Sequence, residues 1–450
     1  MKIYDKEFNF KINNNIGLLE LFSDKVTSHL SINNFPIRFA VTQSDASNYR
    51  CEIGIAELLE EDLYKFPSIF EFKKRAIENS REFNAVFIVP TGIGAEIGGH
   101  AGDATPAAKL FGSVCDKLIT HPNVVNASDV NEMPENTLYV EGSVLTRFLM
   151  GTVGLSEVRS NRILAVIEKH HDDLFTNAAI NAVNAARSSY GLDCPRIIQL
   201  ESELSLSSEY ASSGSAVGKV DNLDKLYELL EKYRDEYDAI ALASIIKVPR
   251  EYHSMYFKSN GEMVNPWGGV EAIFTHTLSS LLNVPTAHSP MLEDQLIANF
   301  DPGVVDPRMA AEAISLTFLQ CVLKGLHRAP RIITDKSAMN HHSVYTAEDV
   351  ACIIIPDGVL GLPTLAALEQ GIKVIAVREN KNLMKNDLTQ LPWESNQFIQ
   401  VDNYLEALGV MTAIKEGLSI ESIRRPIVAI NIKDNSEHSV KESISLAVKQ

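Results

Sequence analysis

The stretch that most restricts the fold is VFIVPTGIGAEIGGHAGDATPAAKLFGSV, residues 86–114. Gly92, Gly94, Gly98, Gly99 and Gly102 fall between a strand-like apolar run and an alanine-rich segment of helical character. Thr105-Pro106 suits a helix start: threonine can cap the first turn, and proline there gives up no needed N–H. Strand, glycine turn and helix form the unit of α/β sheets, where ligands bind at the carboxyl ends of strands. A turn this rich in glycine either serves tight packing or lets a ligand come close to the backbone. Glu96, His100 and Asp103, set among the glycines, favour a ligand.

Two later stretches repeat the pattern. NPWGGVEAIFTHTLSSLLNVPTAHSP, residues 265–290, is a double glycine followed by a helix and an extended segment. PDGVLGLPTLAALEQGIKVIAV, residues 356–377, is a glycine loop, a helix closed by Gly371, and a strand. Free N–H groups at helix starts attract anions. The expected architecture is two Rossmann-like parallel-sheet halves with a ligand cleft between them, preceded by an N-terminal α+β lead-in. The expected ranges are 1–80 for the lead-in, 81–215 for a first α/β domain with the glycine-rich loop, and 216–450 for a second with two glycine turns. Within them, FEFKKRAIENS predicts a helix and PREYHSMYFKSNGEMVNPWGG an irregular segment. Residues 202–218, rich in serine, predict a linker or an ordered surface loop. MAAEAISLTFLQCVLKGLH predicts one long helix.

The formal net charge of −17 excludes a general binder of nucleic acid or anionic membrane, since no basic stripe is present. MKIYDKEFNFKINNN has no apolar core of a secretory signal. The five scattered cysteines read as reduced thiols. Together these predict a cytoplasmic protein. The expected partner is a small anionic molecule, with a homo-oligomer as a further possibility and no nucleic acid or membrane.

Motifs narrow the chemistry by failing. TGIGAEIGG departs from G-x-G-x-x-G, because residue 97 is isoleucine. It is no P-loop either, lacking Gly-Lys-Ser/Thr. There is no G-x-S-x-G elbow, no H-E-x-x-H and no paired C-x-x-C. The cofactor is therefore unknown, and no metal is expected.

Acid/base groups remain. His121, in THPNVVNASD, has Asn123 and Asn126 nearby, and histidine titrates near neutral pH. Capping a helix C-terminus is its other reading. His288 lies where a strand-end catalytic residue would. Glu271 sits in the first turn beside Gly268 and Gly269; His276, five residues on, does not share its face and reads as a core histidine. Glu141 ends a strand just before a helix, where it can do chemistry or complement the helix dipole. The candidate catalytic set is His121, His288, Asp103, Glu141 and Glu271. Candidate binding residues are Thr91, Gly92, Gly94, Glu96, Gly98, Gly99, His100, Thr105, Asn123, Asn126, Arg159, Asn265, Gly268, Gly269, Asp357, Gly358 and Thr364. Arg159 stands for an arginine pair, with Arg162, that can clamp a carboxylate or phosphate.

PDGVLGLPTLAALEQGIKVIAV resembles the closing motif of nucleotide-sugar enzymes with two Rossmann-like domains. That resemblance implies donor phosphates at Asp357, Gly358 and Thr364, with Glu369 as the acidic residue farther along. The usual Ser-Gly-Gly is replaced by Gly361-Leu362-Pro363. Read together, PTGIGAEIGGHAGDATPAAKL, YVEGSVLTRFLMG, NPWGGVEA, VPTAHSPM and PDGVLGLPTLAALEQGI resemble one large bacterial family with a domain of unknown function, over residues 80–410. It implies no activity. The expected function is non-redox acid/base chemistry (lyase, isomerase or group transfer) on a small carboxylated or phosphorylated metabolite. A nucleotide-sugar-type transferase and a non-catalytic metabolite sensor are the alternatives.

Overall fold

A computed structural model describes residues 1–11, 17–45, 48–58, 66–201, 203–427 and 429–430. Residues 12–15 of the N-terminal stretch and Glu201's neighbour at 202 lie outside them. The chain divides into a large unit, Met1–Gly409, and a small one, Val410–Gln450. Among the described residues, the small unit holds the end of the Tyr404–Lys415 helix and the short Ile420–Ile423 helix.

The large unit is mixed α/β. Its larger sheet has ten strands. One part is antiparallel: Asn34–Ser44, Asn48–Glu57, Lys2–Lys11, Ala216–Asp221 and Ser205–Tyr210 follow one another across it. The other part is parallel, with Thr286–Met291, Ala239–Lys247, Arg162–Glu168 and Asp193–Leu200. The parts join where Leu206 pairs with Ile246. A separate sheet of six parallel strands runs Phe398–Val401, Lys373–Val377, Val350–Pro356, Asn84–Phe87, Lys117–Thr120 and Thr137–Tyr139. Its central strands are apolar throughout, as both-face burial demands: all seven residues of VACIIIP are buried. Two apolar clusters form the core: one around Phe22, Phe148, Ile353 and Leu365 joins the six-stranded sheet to the antiparallel part of the large sheet, and the other lies around Leu242, Phe274 and Leu278.

Several local expectations are corrected. Residues 71–80 form no helix. Their backbone is bound elsewhere: Lys73 N–H donates to Met150 O, and Arg75 N–H to Gln370 Oε1. The Arg75 guanidinium also donates to the carbonyls of Val350, Gln370 and Gly371. The serine-rich stretch is a hairpin, Ser205–Tyr210 with Ala216–Asp221, inside the large sheet. The segment expected to be irregular contains the Arg250–Lys258 helix. The long helix expected from residue 309 is broken: Ala310–Ala313 is separate from Leu319–His327. Asp129 is bound at the break. It accepts the Thr317 hydroxyl at 2.9 Å and the N–H groups of Thr317 and Gln320, so it caps the second helix from a distant loop. Finally, Thr105 is not a side-chain cap; its hydroxyl donates to Val124 O.

Candidate functional site

A cavity of about 450 Å³ opens at the carboxyl ends of the parallel strands. Thr91 follows Asn84–Phe87, His121 follows Lys117–Thr120, and Glu141 follows Thr137–Tyr139. Val359 and Leu360 follow Val350–Pro356. From the large sheet come His288, Pro290 and Met291, and from the Gly268–Leu282 helix come Glu271, Thr275 and His276. Residues of all three glycine turns therefore line one space.

The glycines themselves face protein. A Cβ on Gly98, at φ +89°, would lie 2.6 Å from Val89 Cγ1. On Gly99 it would lie 2.1 Å from Ala95 O, and on Gly102 2.1 Å from an Ala127 carbon. Gly92 packs on Ala216, and Gly94 on Val264 and Leu383. The second turn packs on the first: a Cβ on Gly268 would reach 1.9 Å from Thr91 Oγ1, and one on Gly269 2.0 Å from Ala216 O. The glycines bring turns together, and the gap they enclose is walled by side chains.

Two carboxylate–imidazole pairs line the cavity. Glu141 is buried at the start of the Gly142–Leu149 helix and accepts Ser143 N–H at 2.9 Å and Val144 N–H at 3.3 Å. It also accepts the Thr275 hydroxyl at 3.2 Å and pairs with His276 Nδ1. Burial pushes its carboxyl upward, but His276 and the helix N–H groups outweigh that and hold it below the usual range. In the second pair, Glu271 Oε1 lies 3.0 Å from His288 Nδ1. His288 Nε2 lies 2.8 Å from Ser244 Oγ. A neutral imidazole donating from Nδ1 accepts the serine proton at Nε2, so both ring nitrogens are engaged. The atom order matches a serine nucleophile relay, yet Ser244 is fully buried and outside the cavity wall. Glu271 and His288 line the cavity, and Ser244 does not.

His121 is different. Its Nε2 accepts Val89 N–H at 3.1 Å, which sets the Nδ1–H tautomer. Burial, with the nearby His276 charge, pushes it down to about 4, despite Glu141. Near neutral pH it is an uncharged imidazole that can only donate. Glu312 was absent from the sequence candidates. It is buried in the wall and accepts Ala101 N–H at 2.7 Å and the Tyr256 hydroxyl at 3.1 Å. Burial pushes its carboxyl up to about 7, and nearby Glu271 adds to the rise. Arg147 also lines the cavity. Its Nη2 donates to Asn283 at 2.9 Å, while Nε and Nη1 have no partner among the described residues.

Asn123, Asn126, Asn265 and Thr364 line the cavity but are engaged within the protein. Asn123 donates to Val89 O and Gly98 O, and Asn126 to the Tyr139 hydroxyl. Asn265 Oδ1 accepts Trp267 N–H, and Thr364 donates to Val359 O. Gly268 and Gly269 also line the cavity, whereas Glu96, His100, Asp103, Asp357 and Arg159 lie off the wall. Glu96 pairs with Arg308 at 3.0 Å, and His100 meets the Tyr256 hydroxyl at 2.7 Å. Asp103 accepts Gly98 N–H at 2.8 Å; burial pushes it up to about 7. Asp357 accepts Gly358 N–H and Gln400 Nε2. Arg159 is exposed, and Arg162 is bound to Asp238. Among the described residues, no group of three or more His, Cys, Asp or Glu side chains is placed to hold a metal.

A mixed α/β protein with a sizeable cavity at the carboxyl ends of its parallel strands is the class this fold and site define. The chain belongs to the family described as protein of unknown function DUF3326, which matches residues 84–424. It is also 33% identical over 342 residues to an uncharacterized lipoprotein of Synechococcus sp. (strain ATCC 27144 / PCC 6301 / SAUG 1402/1). That match covers 75% of this chain and 92% of the relative. No solved structure matches. The lipoprotein relative overturns the expectation of a plainly cytoplasmic protein, because a lipid anchor places a protein at a membrane. No helix among the described residues is long and apolar enough to cross a membrane.

Proposed function

We propose that the chain is an enzyme of non-redox acid/base chemistry whose substrate carries a carboxylate or phosphate. The observation that carries this is the clustering of unlike proton-handling groups in one cavity. Glu271, held by His288, serves as base. Glu312, near 7, holds or releases a proton at working pH. Neutral His121 donates to an oxygen on which charge develops, and Arg147 holds the anionic group. Elimination, isomerisation and group transfer all need such a set.

The cleft reading keeps two halves, the six-stranded sheet and the parallel part of the large sheet, each offering its strand ends. The phosphate-loop reading of residues 356–377 has less support: Leu360 and Gly361 pair as a strand with Val41 and Ala40. The relative's lipoprotein name favours a membrane-proximal site of action for this chain.

The test is substrate consumption. Purified protein is incubated with pooled carboxylated and phosphorylated metabolites, and losses are followed by mass spectrometry. A compound consumed by the wild type, but only bound by Glu271→Gln and Glu312→Gln, is expected. Binding without turnover by the wild type would make the protein a sensor and defeat the enzyme reading.

A further inference from the structure

We propose that the substrate is a single-chain amphiphile: a carboxylate head at Arg147 and His121, with a hydrocarbon chain running along the apolar wall toward Ile314 and Leu316. This rests on the acid/base reading above and narrows its substrate class.

The wall is chemically divided. Its ionisable groups belong largely to the strand ends and to the Gly142–Leu149 and Gly268–Leu282 helices. Apart from Glu312 and Ser315, the segment from 291 to 318 contributes apolar side chains, among them Met291, Leu292, Ile297, Phe300, Leu316 and Phe318. A small polar metabolite would leave that stretch without a partner. A hydrocarbon chain would cover it, each buried methylene strengthening binding roughly fourfold.

The same segment forms the mouth. Ile314 lines the cavity and is 79% exposed; Leu316 lines it and is 48% exposed. A side chain that meets both the cavity and the exterior marks where the cavity opens. Leu296, in the same segment, is also exposed. Two exposed large apolar groups at one opening, Ile314 and Leu316, suit an apolar ligand passing through it. The helix break at 314–318, held by Asp129, places them there.

The head end is set by Arg147, only 8% exposed. Two of its three nitrogens lack a partner among the described residues, and a buried guanidinium in that state calls for an acidic group with paired oxygens. His121 adds an obligate N–H donor in the same wall.

Calorimetric titration of the full chain tests this, using butyrate, octanoate, dodecanoate, 1-dodecanol and dodecyltrimethylammonium below their micelle-forming concentrations. Affinity is expected to rise roughly fourfold per methylene from butyrate to octanoate. Dodecanoate should bind more tightly than the alcohol or the cation. Arg147→Leu should erase the preference for carboxylate over alcohol, and Arg147→Lys should keep part of it. Leu316→Gln, at the surface, should weaken dodecanoate and spare butyrate. Melting curves confirm that each variant is folded. Binding that ignores chain length yet depends on Arg147 would overturn the amphiphile and leave the acid/base reading standing. Chain-length-dependent binding without carboxylate preference would overturn the anionic head. Absence of binding by every probe would overturn the inference, while metabolite consumption would still decide the enzyme reading.

Discussion

Glu312 links burial to stability at a single residue. Its carboxyl is raised from 4.5 to about 7, so its contribution is fully present below about pH 4.5 and is lost as pH rises through 7. Glu312→Gln keeps the acceptors for Ala101 and Tyr256 without the charge. The variant should gain on the wild type between pH 5 and pH 8, by roughly 3 kcal/mol at most. Denaturant titrations at the two pH values measure this, and a constant gap would refute it. His121 has the opposite sign: its pKa is lowered, so its contribution is present above about 6.5 and lost as pH falls toward 4. Nitrogen NMR at pH 5.5 should find it neutral with the proton on Nδ1. Gly98→Ala adds a Cβ 2.6 Å from Val89 at a positive φ, and should cost about 2–4 kcal/mol in chemical denaturation. His121, Glu271, His288 and Glu141 were legible because strand ends and glycine turns flag them. Glu312 was not: it sits in MAAEAISL, which reads as plain helix, and its partners Ala101 and Tyr256 are far away in sequence.

Among elements, the Gly268–Leu282 helix joins much of the site. It carries Glu271 toward His288 and His276 toward Glu141, and it presses its first glycine on Thr91. Gly268→Ala should force the helix away from the first turn, lowering the melting temperature and weakening ligand binding together. Adding Thr91→Ala removes the atom 1.9 Å away and should restore part of the loss. Equal melting temperatures for the single and double variants would show that this contact does not set the spacing. The sequence predicted this helix. It could not predict the break at 314–318, because the cap is Asp129, almost two hundred residues away. The same applies to residues 71–80, whose backbone is claimed by Met150 and Gln370.

At the scale of the whole molecule, the strands interleave. The six-stranded sheet takes neighbours from residues 84–139 and 350–401, and the large sheet pairs Lys2–Lys11 with Ala216–Asp221. The cavity is a product of that interleaving, so it should tolerate local filling. Ala272→Phe projects a ring into it and should abolish ligand-induced stabilisation, while moving the melting temperature by only a few degrees. A collapse of stability instead would show that the space is too small to serve a ligand.

By itself the sequence determined the α/β class, the three glycine turns ahead of helices and the family, because hydrophobic period and turn chemistry act over neighbouring residues. It also placed most of the acid/base groups near strand ends. Only the tertiary structure decided which groups meet: Glu141 with His276, Glu271 with His288, Glu312 with the first glycine loop. It decided, too, that the glycines of residues 92–102 serve close packing, because the atoms they admit belong to Val89, Ala127 and Ala216. Those contacts depend on how distant segments stack, and spacing along one chain does not encode that.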